Sequence, residues 1–193
     1  DSATRGGALG FSHFGEGARL GLSASTDVRL FKGFSFNIFG DYSRIHDQIA
    51  LRKGSKWSDG APFGADDILF WYTDVLLNKD LTPSIPGWIR NADGTPAKVE
   101  KVDASTVRFT YQAPATLFLT AVANQDGADR TYAMFLPRHY LKQFHPAHTP
   151  KEEVEKTVQA AGFKSWTELL LNRAQPARNP DRPTMAAWMP VTR

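Results

Sequence analysis

The hydrophobic period of this chain changes once, near residue 51, and that change limits the folds open to it. Before it, the period is two. Leu20, Leu22, Ala24, Thr26, Val28 and Leu30 alternate with Gly21, Ser23, Ser25, Asp27 and Arg29. Beyond Phe31-Lys32-Gly33, a second run sets Phe34, Phe36, Ile38 and Tyr42 against Ser35, Asn37, Asp41 and Ser43. Side chains of a strand point alternately to its two faces, so the pattern predicts an antiparallel hairpin. Each strand is long enough to serve as one stave of a membrane barrel, or to bury one face of a soluble sheet. After residue 51 the period lengthens. Ile68, Leu69, Trp71, Tyr72, Val75 and Leu76 recur at helical spacing behind Asp66-Asp67, where the helix dipole favours negative charge.

The remaining elements are read from local signals. Segments 98–102 and 106–111 flank Asp103-Ala104-Ser105, with Val107, Phe109 and Tyr111 alternating, and predict a second hairpin. Segment 114–123 reads as a short apolar helix, and 138–144 as another with Pro137 in its first turn. Thr149-Pro150-Lys151-Glu152 and Ser165-Trp166-Thr167-Glu168 each read as a capping box, a hydroxyl cap followed three residues later by Glu. Gly162 is expected to stop the first of these helices. Segment 179–184 is a loop, and Ala186-Ala187-Trp188-Met189 looks like the start of a strand. The expected fold class is α+β.

Composition narrows the function classes. With 41% hydrophobic and 22% charged residues and a mean hydropathy of -0.37, the chain can bury a core. The net charge of +3 comes without any Lys or Arg run, so there is no electrostatic footprint for nucleic acid. The absence of cysteine excludes disulfides, thiolate metal sites and a Cys nucleophile. No apolar stretch approaches the roughly 20 residues of a membrane-spanning helix. The chain opens on Asp1-Ser2-Ala3, without initiator Met or signal peptide, which predicts removal of a leader or an origin inside something longer. Residues 1–50 hold 8 of the 15 glycines, and their charges cancel. The expected domains are therefore 1–50, a β-hairpin segment, and 51–193.

The strongest local signal is Leu51-Arg52-Lys53-Gly54-Ser55-Lys56-Trp57-Ser58-Asp59-Gly60-Ala61-Pro62-Phe63-Gly64-Ala65-Asp66-Asp67-Ile68. It reads as a strand end, a Ser-Asp-Gly turn suited to positive φ, and a proline step into an acidic helix start. The string resembles the signature of the family 5 extracellular solute-binding proteins, which serve dipeptide, oligopeptide, nickel and related importers. The resemblance continues through Trp71-Tyr72, Asn78-Lys79, Pro96-Ala97-Lys98-Val99 and Thr106-Val107-Arg108-Phe109. It resumes over 139–146 and runs through Ser165-Trp166-Thr167-Glu168-Leu169 to Asn179-Pro180-Asp181. Gly64 departs from it, standing where the family usually has a capping Thr.

The resemblance implies a partial lobe of a periplasmic solute-binding protein over 51–193. It further implies capture of a peptide or other small-molecule solute, delivery to the permease subunits of an ABC transporter, a periplasmic or other extracytoplasmic location, and no cofactor. Residues 1–50 carry a second resemblance. Arg19-Leu20-Gly21, Leu30-Phe31-Lys32-Gly33-Phe34-Ser35-Phe36-Asn37 and Asp41-Tyr42-Ser43-Arg44-Ile45-His46-Asp47-Gln48 resemble late strands of a bacterial outer-membrane β-barrel. The two resemblances meet near 51–54 and predict a chimera, a barrel-type hairpin ahead of the partial lobe. The alternative function is an outer-membrane β-barrel or receptor fragment with a soluble extension. Membrane contact is expected only if the hairpin belongs to a barrel.

Candidate site residues are few. Trp57, Ser58, Asp59 and Gly60 are read as a structural turn, and Trp71 and Tyr72 as core. Trp88 follows Pro83-Ser84-Ile85-Pro86-Gly87 in a loop that, in the resembled family, reaches toward the ligand, so it is the candidate for lining a cleft. Asn124 and Asp126, after the apolar helix, are further ligand-binding candidates. His145-x-x-His148 has a metal-ligating spacing, but Pro146 interrupts any helix there and no third ligand is near in sequence, so no metal is expected. No Ser-His-Asp set, carboxylate pair or phosphate-cradling loop stands out, and no enzyme is expected. One more reading is an interaction module whose apolar helix faces are left bare by truncation.

Overall fold

The computed structural model describes residues 9–10, 23–31, 34–41, 46–115, 118–123 and 134–185. The strands are β1 (Leu9–Gly10), β2 (Ser23–Phe31), β3 (Phe34–Asp41), β4 (His46–Leu51), β5 (Lys98–Asp103) and β6 (Thr106–Thr110). They form one antiparallel sheet in the order β1-β2-β3-β4-β6-β5. The expected hairpin strands are present as β2 and β3, paired antiparallel with Phe31 opposite Phe34. It does not stand apart from the rest of the chain, because β3 pairs on to β4 with Phe36 opposite Leu51. Among the described residues the sheet is open, ending at β1 and β5, so the barrel setting expected for the hairpin is not shown.

The helices are α1 (Ala65–Phe70), α2 (Phe118–Ala123), α3 (Arg138–Leu141), α4 (Lys151–Ala160) and α5 (Trp166–Ala174). The chain divides into two compact units. One comprises Asp1–Arg52 with Pro86–Asn124, and the other Lys53–Ile85 with Gln125–Arg193.

In the sheet unit the second hairpin forms as expected. Val107 and Phe109 point inward from β6 and are fully buried beside Ile49 of β4, which lies opposite Val107. Phe118 closes this cluster, its ring 4.8 Å from Phe109 and 6.0 Å from Tyr111. The outer strand β5 carries Lys98, Glu100, Lys101 and Asp103 on its rim, the kind of charged edge that discourages pairing with another chain.

In the helical unit α1 runs on through Trp71–Leu76 with a wider turn, Leu77 N–H donating to the Tyr72 carbonyl five residues back. Adjacent Trp71 and Tyr72, and then Val75 and Leu76, all face inward and are buried. Gly162, at φ 74°, ends α4. Ser165 caps α5 as expected, its Oγ accepting from Glu168 N–H at 3.2 Å. The other capping box does not form. Pro150 takes the cap position of α4, and the Thr149 hydroxyl turns away to donate to the Lys142 carbonyl. Among the described residues Leu77 and Val102 are the large apolar side chains left exposed. The expected strand at 186–189 lies outside the described residues.

Candidate functional site

The signature loop is a miniature hairpin. Phe63 N–H donates to the Ser55 carbonyl, Lys56 bridges to Pro62, and Trp57 N–H donates to the Ala61 carbonyl. Asp59 Oδ1 accepts from Ala61 N–H at 3.1 Å, and Gly60 takes φ 87°, a conformation costly for any residue with a Cβ. This loop is anchored by the carboxylate of Asp67, buried in the first turn of α1. Its Oδ2 accepts from Gly64 N–H at 3.0 Å and from Trp57 Nε1–H at 3.4 Å, while Oδ1 accepts from Arg138 N–H at 3.0 Å. One side chain therefore starts α1, holds Trp57 and caps α3. Burial pushes the Asp67 carboxyl above the ordinary carboxylate value, and the three donors only partly offset it.

The loop reaches α3 a second time through Asp59, whose Oδ2 lies 2.7 Å from His139 Nε2. Slight burial pushes Asp59 up, but the His139 hydrogen bond, the Ala61 N–H and the His139 charge together hold it below the ordinary value. Trp57 packs edge-on to Phe63 at 5.4 Å, and Phe63 packs edge-on to Phe135 at 5.7 Å. Ser58 exchanges two bonds with Thr184, its N–H donating to the Thr184 carbonyl and its Oγ accepting from Thr184 N–H. Trp57, Ser58 and Asp59 of the signature are thus engaged within the unit, as a structural turn requires.

Trp88 belongs to the sheet unit. It sits in a single helical turn, Gly87–Ile89, with its carbonyl accepting from the Tyr111 hydroxyl at 3.1 Å and its ring 6.5 Å from Phe118. Burial and the nearby Asp47 charge push the Tyr111 phenol well up, so it stays a neutral donor. Trp88 is half-buried. The neighbouring turn is internally satisfied. Asn91 Oδ1 accepts from Gln112 N–H, Asp93 Oδ2 accepts from Gln112 Nε2–H at 2.7 Å, and Asp93 Oδ1 accepts from the Thr95 amide and hydroxyl. Asn124 and Asp126 lie outside the described residues.

Sequence reasoning missed one partner of the histidine pair. Asp74, from the wide-turn helix 71 residues before His145, brings its carboxylate 3.2 Å from His148 Nε2, and Asp74, His145 and His148 offer ligand atoms within 4.8 Å of one another. Two imidazoles and a carboxylate are a donor set suited to zinc and similar metals. The hydrogen bonds of His145 oppose that use. Its Nδ1 accepts from Ala147 N–H at 3.1 Å, so the ring proton resides on Nε2, which meets the Asp74 carbonyl at 3.1 Å. Both ring nitrogens are engaged, and the cluster is a fastening between segments.

The residues that build these features coincide with a known family. The family model for bacterial extracellular solute-binding proteins, family 5, middle region, matches residues 48–176. The chain belongs to that family. Among its relatives, the periplasmic alpha-galactoside-binding protein of Rhizobium meliloti (strain 1021) is 32% identical over 145 residues, 73% of this chain and 17% of the relative. A probable ABC transporter-binding protein of Deinococcus radiodurans is 34% identical over 119 residues, 61% of this chain and 17% of that protein. The solved oligopeptide-binding protein OppA superposes with a TM-score of 0.67 and 38% identity, covering 79% of this chain and 24% of that one. The family 5 chain thus spans less than a quarter of the length of each. The match begins at residue 48, so the barrel-like wording of residues 1–47 has no counterpart in it.

Proposed function

We propose that this chain is part of the substrate-binding component of an ABC importer, which captures peptides or similar small solutes outside the cytoplasmic membrane and presents them to the permease subunits. The observation that carries the reading is the family 5 match over 48–176, joined to the likeness to an oligopeptide-binding protein at 38% identity. Affinity in such a component requires a ligand to favour one arrangement of the protein over another, and that role needs no catalytic group. Among the described residues no helix is long and apolar enough to cross a membrane, in keeping with action in the aqueous space outside it.

Within this reading Trp88 is an aromatic wall for the solute, rigid because Tyr111 and Phe118 hold it. Hydrogen exchange on the chain, with and without a pool of short peptides and separately with an alpha-galactoside, tests it. Slower exchange over 86–91 with peptides, lost in Trp88→Ala while the exchange of 98–110 is retained, is the expected result. Protection by the galactoside alone would replace the peptide class with a sugar. No protection by either at millimolar concentration would remove this segment from solute capture.

A further inference from the structure

The His145 fastening has a chemical polarity that its neighbours lack. The residue is buried between the 145–149 turn, the wide-turn helix Trp71–Leu76 and α5, where Trp166 packs edge-on at 4.9 Å. Its Nδ1 accepts from Ala147 N–H and its Nε2 meets the Asp74 carbonyl. Only the neutral ring with its proton on Nε2 satisfies both contacts. A second proton can go only to Nδ1, where it would point at the Ala147 N–H, donor against donor, inside a buried site.

We propose that His145 is an acid-sensitive fastener, whose protonation releases the 145–149 turn, and α4 behind it, from the helix bearing Asp74. The charged and titratable groups facing it are Asp74, through its carbonyl and carboxylate, and His148, with a ring centroid 5.7 Å away. Phe70 of α1 and Trp166 of α5 face it without titrating. His148 itself is joined to the same residue, its Nε2 lying 3.2 Å from the Asp74 carboxylate.

Burial, and to a lesser degree the His148 charge, lower the His145 value against the raising influence of Asp74, which gives the sign. The unfolded ring takes up its proton at about pH 6.5 and the folded ring only at lower pH. Between those points the open form binds more protons, so stability is lost as pH falls below about 6.5, by up to tenfold in the opening constant per pH unit.

Hydrogen exchange of segment 142–160 from pH 7.5 to 5.0, corrected for the intrinsic rate, reads the effect. In the wild-type chain protection falls below pH 6.5. In His145→Asn, whose side-chain oxygen can still accept from Ala147 N–H but does not titrate, the fall is absent, while in His148→Asn it persists. An unchanged pH slope in His145→Asn, or its loss in His148→Asn alone, overturns the proposal. Should His145→Asn not fold, nitrogen NMR of the wild-type ring decides. The expected state at pH 7.5 is Nε2–H, with titration of His145 coinciding with lost protection; an Nδ1–H tautomer, or titration without lost protection, overturns it.

Discussion

The sheet unit and the helical unit bury cores of similar character but hold themselves together differently. In the sheet unit, Ile49, Val107, Phe109 and Phe118 are fully buried apolar groups, and the strands are joined by ladder bonds that any residue but proline can make, with specific side-chain bonds gathered where Tyr111 and Gln112 meet Trp88, Asn91 and Asp93. In the helical unit, the segments are joined by side chains that reach backbone groups far along the chain. Asp67 caps a helix 71 residues later, and Ser58 pairs with Thr184 across 126 residues. The first arrangement tolerates substitutions that keep volume and pattern. The second depends on particular atoms, because a buried donor left without its acceptor costs its full desolvation.

The largest expected effect lies in the sheet unit. Phe109→Ala removes a ring that packs on Phe118 and opens a cavity, with an expected loss of about 3–5 kcal/mol, whereas Phe109→Leu should lose much less. Urea denaturation gives the totals, and hydrogen exchange over 46–51 and 106–110 locates them. Equal losses for both variants would break the comparison, by showing that the sheet core demands one ring rather than a volume.

Asp67→Ala comes next, at about 3 kcal/mol, since it strands the Gly64 and Arg138 amides and the Trp57 indole N–H together. Asp67→Asn, nearly identical in volume, should also destabilise, because both carboxylate oxygens accept and an amide would turn a donor toward one of those N–H groups. A harmless Asp67→Asn would show that the helical unit, too, is held by shape alone. The acid response sharpens the point. The folded carboxyl of Asp67 binds its proton at higher pH than the unfolded one. Its contribution is therefore complete below about pH 3.9 and is lost as pH rises through the raised value. Asp67 thus gains from acid where His145 loses, and an acid-labile 142–160 segment cannot be attributed to it.

The contrast also explains what was legible in the sequence. Both hairpins were readable because a period of two is a local signal, and the inward set Val107 and Phe109 is buried as the alternation requires. The signature loop was readable as a turn, since Asp59-Gly60 states its own geometry. That Asp67 serves α3, or that Asp74 joins the two histidines, was not readable. No property of a carboxylate in one segment indicates which distant N–H or imidazole it will meet. The wide turn at Trp71–Leu76 was hidden for a related reason: a stripe of apolar residues sets a face but not the winding that produces it.

The smallest predicted effect separates two sequences that look alike. Thr149-Pro150-Lys151-Glu152 and Ser165-Trp166-Thr167-Glu168 carry the same capping pattern, yet only Ser165 caps. The Thr149 N–H already donates to the His145 carbonyl at 3.1 Å, so the reciprocal half of a box based on Thr149 has nothing left to satisfy, and the Thr149 hydroxyl is drawn to the Lys142 carbonyl at 3.1 Å. Glu168 meanwhile accepts from Lys164 N–H at 3.0 Å, completing a reciprocal pair around Ser165. Ser165→Ala should therefore cost about 1 kcal/mol, and Thr149→Ala about half of that, the net worth of one exposed hydrogen bond. Thermal melts of the two variants side by side check the order. A Thr149→Ala loss equal to or larger than that of Ser165→Ala would mean that the 149 hydroxyl holds the turn beside His145 more firmly than one exposed bond can.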